Sequence, residues 1–303
     1  MLLGKDRVMH RWSLRLPLIL TLCVGIMTPV AVAADDATAI RYIALGDSYA
    51  YGVGASDPAS HGYVGPFTAA LTASARMTVT ALDLADPGAT SADLIGDYAT
   101  RGSQSQSQLA RAVQMLGTGG TNLVTLDIGG NDILRLLDAG NACADTAILS
   151  DTCLAAVQGA LLQNTSVNVP RILTTLVTAA KPGTRIIVLD YPNPYSTGTN
   201  SVIEQRTNVA VQGLNTIITG AVAAAQSVAS ARGVTLTTVD LFPLFAGRAG
   251  TLTHILDTEP DVHPTDAGYR VIADAIIAAY RQSAGVDSVS TPKRTYFITR
   301  LGG

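Results

Sequence analysis

Tryptophan, cysteine, histidine and charge are all scarce in this sequence. The single tryptophan is Trp12, and 303 residues contain only three cysteines and four histidines. So few thiols and imidazoles give no metal framework, and metal dependence is not expected. Charged residues make up 14% of the chain against 48% hydrophobic, which is globular and too apolar for a disordered protein. A basic excess is missing too. The formal net charge is −3, whereas a nucleic-acid partner needs a basic face. No linker rich in proline and serine and no internal repeat divides the chain, so one domain is expected.

The first 34 residues are unlike the rest. Lys5, Arg7, Arg11 and Arg15 precede the uncharged run LPLILTLCVGIMTPVAVAA, which ends in small residues. A basic head, an apolar middle and an A-V-A end describe a secretory signal over residues 1–34, cut after Ala33 or Ala34. A retained anchor is the competing reading, since such a run approaches the roughly 20 residues that span a bilayer. Pro29 and the A-V-A end favour cleavage, which would leave a secreted chain without a stable membrane span. A lipoprotein signal at Cys23 is disfavoured because Leu22 stands where a small residue is expected. Removing those four basic residues and Asp6 from 20 basic and 23 acidic residues leaves 16 and 22, a net of −6. Two cysteines remain, and an even pair in an exported chain predicts a Cys143–Cys153 disulfide.

From about Ala37 onward, short aliphatic runs alternate with longer helical segments. Residues 41–45, 77–82, 122–128, 184–190 and 234–240 read as strands, being β-branched or aliphatic and bounded by turn residues. Helices are expected over 65–73, 91–98, 106–116, 131–137, 154–163, 169–180, 201–231 and 265–283. Such alternation predicts a three-layer α/β/α fold around a mostly parallel five-stranded sheet, spanning residues 37–285. Residues 286–303 read as a loose tail or a final edge strand. Sites in open sheets of this kind form at the carboxyl ends of strands.

Four segments there could carry chemistry. Gly46-Asp47-Ser48 follows the first strand, where a serine is either a nucleophile or, with Asp47, a helix cap. Asp86-Pro87-Gly88 follows the second, either offering the Gly88 N–H to an anion or simply making a turn. Gly129-Gly130-Asn131-Asp132 follows the third. Its asparagine either donates to an oxyanion or caps a helix. Asp261-Val262-His263-Pro264 precedes the last helix, with Thr265 or Asp266 as cap. Tyr49, Tyr51, Tyr191 and Tyr195 are candidates for a site rim.

Taken in order, these segments resemble the SGNH hydrolases, also called GDSL esterases and lipases, over roughly residues 41–279. The resemblance implies a flavodoxin-like hydrolase fold without a cofactor, acting as a monomer on small-molecule or lipid esters. Under it, Ser48 is the nucleophile and His263 its base, while Ser48 N–H, Gly88 N–H and the Asn131 amide form the oxyanion hole. The chain departs from the family pattern twice. Tyr49 replaces the usual leucine after the serine, and Pro260 occupies the place of the aspartate three residues before the histidine. Asp261 is then the first candidate to orient His263, because positions 261 and 263 share a side in an extended chain. Glu259 is the next, and a backbone carbonyl that leaves a Ser–His dyad is the third. A carbohydrate deacetylase and a catalytically weakened binding protein are the alternative functions on this fold.

Overall fold

The protein is described by a computed structural model covering residues 39–75, 78–96, 106–118, 121–138, 140–144 and 150–283. The expected signal segment 1–34 and tail 286–303 lie outside the described residues. Five strands form one sheet: β1 (Ala39–Gly46), β2 (Thr78–Asp83), β3 (Thr121–Asp127), β4 (Arg185–Leu189) and β5 (Thr235–Val239). Their spatial order is β2-β1-β3-β4-β5. Among the described residues every neighbouring pair runs parallel, as expected for this fold class. Tyr42–Leu45 and Ile186–Leu189 are buried throughout, which explains why those strands read as continuous aliphatic runs without alternation.

The helices before β3 are α1 (Ser48–Tyr51), α2 (Pro58–His61), α3 (Val64–Ala75), α4 (Ser91–Ile95) and α5 (Gln108–Leu116). After it come α6 (Gly130–Leu134), α7 (Asp151–Ala160), α8 (Ser166–Ala179), α9 (Val202–Ala231), α10 (Phe242–Phe245), α11 (Ala249–Leu252) and α12 (Asp266–Ser283). α3 and α12 pack together on one face of the sheet, and α5, α8 and α9 on the other. The 30-residue α9 is long and apolar enough to cross a bilayer, and here it packs along α8 and β5. The order reverses at β1 and β3, placing a crevice beyond their carboxyl ends.

Two departures from the sequence reading have local causes. The helices expected over 154–163 and 169–180 are continuous through a π-turn at Leu161–Thr165. Pro170 lies inside α8, and the wide turn ends just before Ser166, whose carbonyl the proline ring would crowd. The helices α1, α2, α10 and α11 have four residues each, too few to show a period.

Cys143 and Cys153 form the expected disulfide, with Cα atoms 5.1 Å apart. It joins the segment beyond α6 to the first turn of α7. On loop-entropy grounds, replacing both cysteines by alanine should cost about 2–3 kcal/mol in urea unfolding. No change in the midpoint would mean that the link constrains nothing in the unfolded chain.

Candidate active site

The turn after β1 is built on an absence of side chain. Gly46 has φ +151°, and a Cβ there would lie 1.8 Å from Asp127 Oδ1. The vacant space lets Asp127, at the end of β3, accept the Asp47 N–H at 3.0 Å. Gln108 of α5 grips the same turn from behind, accepting from Gly46 N–H at 2.9 Å and donating to its carbonyl at 2.8 Å. The chain then enters α1. Asp47 caps that helix by accepting the Tyr49 N–H, and Ser48 lies almost buried on the crevice floor.

Asp47 also joins the two strand ends. Its Oδ2 accepts Tyr191 OH at 2.6 Å and Asn131 Nδ2 at 3.2 Å. The same amide nitrogen donates to Ala89 O at 3.1 Å, linking Asn131 to the Gly88 turn. Asn131 is therefore not a helix cap; Gly129 occupies that position. Neither is Asp132, which instead accepts both the N–H and the Oγ–H of Ser91, at 2.9 and 2.8 Å. The Pro-Gly turn is real. Ala89 N–H closes on Asp86 O at 3.0 Å, with Gly88 at φ +79°. Arg135 fixes it by donating to Gly88 O and to Asp93. Among the described residues, neither the Ser48 N–H nor the Gly88 N–H has a hydrogen-bond partner.

His263 sits in the loop before α12, capped by Thr265 through the Gly268 N–H. Asp261 Oδ1 lies 2.6 Å from His263 Nδ1 and also accepts the His263 N–H at 3.2 Å. Glu259 is exposed and forms no hydrogen bond with the imidazole. His254 props this loop through its own backbone, donating to His263 O and accepting from Asp261 N–H. Tyr49 OH donates to Val262 O at 3.1 Å, and the Tyr49 ring lies 6.3 Å from the imidazole. Tyr269 OH reaches Ser48 O at 3.4 Å. The serine and histidine loops are thus tied together, while Ser48 Oγ and His263 Nε2 lack partners among the described residues.

Ser48, Asn131, Tyr49, Tyr191 and Tyr195 line one open cleft of about 870 Å³, its solvent-facing mouth included. Tyr51 is exposed and lies outside it. Asp47 and Asp132 are the residues that sequence reasoning passed over as site components. Asp47 stood next to the serine, but only as a possible cap. Among the described residues, no group of three or more His, Cys, Asp or Glu is placed to hold a metal ion.

A parallel sheet whose serine, glycine and asparagine loops meet beside a carboxylate-paired histidine has the makings of an ester-cleaving hydrolase. Residues 44–271 match the model of the GDSL-like Lipase/Acylhydrolase family, and the chain belongs to that family as a carboxylic ester hydrolase. No curated protein matches it in sequence. Among solved structures, it resembles an extracellular lipase from Streptomyces rimosus at 24% identity and a TM-score of 0.53, over 79% of this chain and 99% of that one. It also resembles a phospholipase A1 from Streptomyces albidoflavus at 23% identity and a TM-score of 0.52, over 79% and 98%. Both likenesses are of fold.

Burial pushes the carboxyls at the strand ends upward. Asp47 rises from 3.8 to about 6 against the pull of Tyr191 and Tyr49, Asp190 rises to about 7, and Asp127 goes well above 3.8. Between pH 3.8 and those values the folded protein holds protons that the unfolded chain has released, so stability falls as pH rises. His254, raised above 6.5 by Asp257, adds stability below pH 6.5 that is lost as pH climbs through its folded value. Glu204, lowered from 4.5 by bonds from Ser196, Gly198 and Asn200, stabilises above that value and loses its effect in acid. The melting temperature should therefore peak at about pH 4 and decline toward pH 8. Asp47→Asn should flatten part of that decline. A melting temperature that climbs from pH 5 to pH 8 contradicts this assignment.

Proposed function

We propose that this chain is an exported serine hydrolase that cleaves carboxylic esters through an acyl-Ser48 intermediate. His263 takes the Ser48 proton as Oγ attacks the ester carbonyl, because the hydroxyl is a poor nucleophile while it holds that proton. The resulting oxyanion is received by the Ser48 and Gly88 N–H groups and by Asn131 Nδ2, one of whose two N–H groups turns to it from Asp47 Oδ2 or Ala89 O. His263 then gives the proton to the leaving alcohol, and water, activated by the same base, releases the acid and restores Ser48. Asp261 holds the tautomer with hydrogen on Nδ1 and favours the imidazolium that forms in each half-reaction.

The observation that carries this reading is the 2.6 Å contact between Asp261 Oδ1 and His263 Nδ1, with the other ring nitrogen uncommitted. The unpartnered Ser48 and Gly88 N–H groups support it. Export rests on the basic and apolar character of residues 1–34.

A fluorophosphonate probe should label the wild type and fail on Ser48→Ala. Asp261→Ala should lower kcat by up to about 10⁴-fold, the scale seen when a triad acid is altered, while Glu259→Ala stays within a few-fold. Activity retained in both acid variants but lost in His263→Ala would leave a Ser–His dyad instead. Separately, Asn131→Ala should lower kcat by about 10²–10³-fold with a smaller effect on KM. Since Asn131 also bridges Asp47 and Ala89, thermal melting must accompany the kinetics. Loss of stability with near-normal turnover would assign the residue to the framework alone.

A further inference from the structure

We infer that His254 is a positioning residue: as an imidazolium, its side chain ties the turn behind Ser48 to the loop that carries His263. The inference rests on the Ser48–His263 mechanism proposed above and adds a residue that acts through it. The His254 ring has two partners. Nδ1 lies 2.7 Å from Asp257 Oδ2, and Nε2 lies 2.9 Å from the Gly54 carbonyl oxygen. A carboxylate and a carbonyl are both acceptors. A neutral imidazole carries one N–H and can satisfy only one of them. The cation satisfies both.

Gly54 passes this contact on in two directions. It belongs to the turn that closes α1, where Gly52 and Val53 both donate their N–H groups to Ser48 O at 3.0 Å. It also presses against the histidine loop. A Cβ at Gly54, with φ +89°, would lie 2.8 Å from Pro264 O and 2.9 Å from His263 Cβ. The His254 main chain meanwhile donates to His263 O at 3.0 Å and accepts the Asp261 N–H at 3.1 Å. One residue thus grips the nucleophile's turn with its ring and the His263–Asp261 pair with its backbone. It does so from behind, since His254 is not among the walls of the cleft.

The surroundings favour the charged ring. The hydrogen bond from Asp257 raises the His254 pKa above 6.5 against partial burial, with help from Gly54 O and the Asp261 charge. Asp266, at the start of α12, also faces the ring. Set against these carboxylates are the imidazoles of His61, 3.4 Å from Asp266, and of His263, paired with Asp261. The proton that His254 loses on deprotonation comes from Nε2, because Nδ1–H keeps the stronger bond to a charged acceptor. The Gly54 tether is therefore present below the folded pKa and lost as pH climbs through it.

The test is kcat against pH on a p-nitrophenyl ester, with active sites counted by a fluorophosphonate and melting followed in parallel. Wild-type kcat should rise as His263 becomes neutral and then fall about ten-fold as His254 titrates above pH 6.5. His254→Gln, whose amide nitrogen reaches the Nε2 position, should keep kcat within about two-fold of the wild-type maximum and lose the fall. His254→Asn, whose amide reaches only the Nδ1 position, should show the lowered kcat at every pH, with KM within about two-fold. Asp257→Ala should also abolish the fall, since nothing then draws the last hydrogen from Nε2. A wild-type profile without a fall between pH 6.5 and about 9 overturns the tether even should the variants fail to fold. Equal loss of kcat in the Gln and Asn variants overturns it too, as does a lower melting temperature with unchanged kcat in the Asn variant. Hydrolysis that survives Ser48→Ala would instead sink the mechanism beneath it.

Discussion

The site depends on how closely the end of β1 approaches the end of β3. At Gly46 the two strands come together with no side chain between them, and Asp127 takes the Asp47 N–H across the gap. That contact sets the direction in which the chain leaves the sheet. It puts Ser48 at the start of a four-residue helix and turns the Asp47 carboxylate toward Asn131 and Tyr191. Any larger residue at position 46 would collide with Asp127 before the turn could form.

From that point a chain of polar contacts runs behind the crevice, and it settles the relative placement of three loops. Asp47 reaches Asn131, Asn131 reaches Ala89, and Asp132 reaches Ser91, so the loops after β1, β2 and β3 are bonded to one another. Buried carboxylates are costly when charged, which is why Asp47 and Asp127 are pushed upward in pKa. Several donors on each offset part of that cost, and removing any one of them leaves a buried acceptor short. The arrangement trades stability near neutral pH for fixed geometry.

The fold was largely legible from the sequence because period and length carry it. All five strands lie where the aliphatic runs stood, and the long helices where 3.6-residue spacing stood. The short helices were not legible, since four residues hold about one turn and no repeat. The join at Leu161–Thr165 was missed for another reason. Pro170 normally stops a helix, whereas here α8 is packed against α4, α5 and α9 and the chain is helical on both sides of it.

At the site, the sequence by itself determined which chemical groups were present and the order of the strand ends that carry them. Ser48, Gly88, Asn131 and His263 each follow a strand or precede the last helix, which local pattern reveals. It also kept Asp261 and Glu259 both open as partners of His263, because sequence spacing does not measure distance to an imidazole. The tertiary structure brings one of them to the ring. The loop is held by His254 from a separate segment, so Asp261 folds onto the ring while Glu259 faces solvent. Tertiary structure alone also gave Asp47 its reach to Tyr191, 144 residues away in the chain. Hydrogen bonds act over about 3 Å whatever the sequence separation, so contacts of this kind exist only once the sheet has brought distant strand ends together.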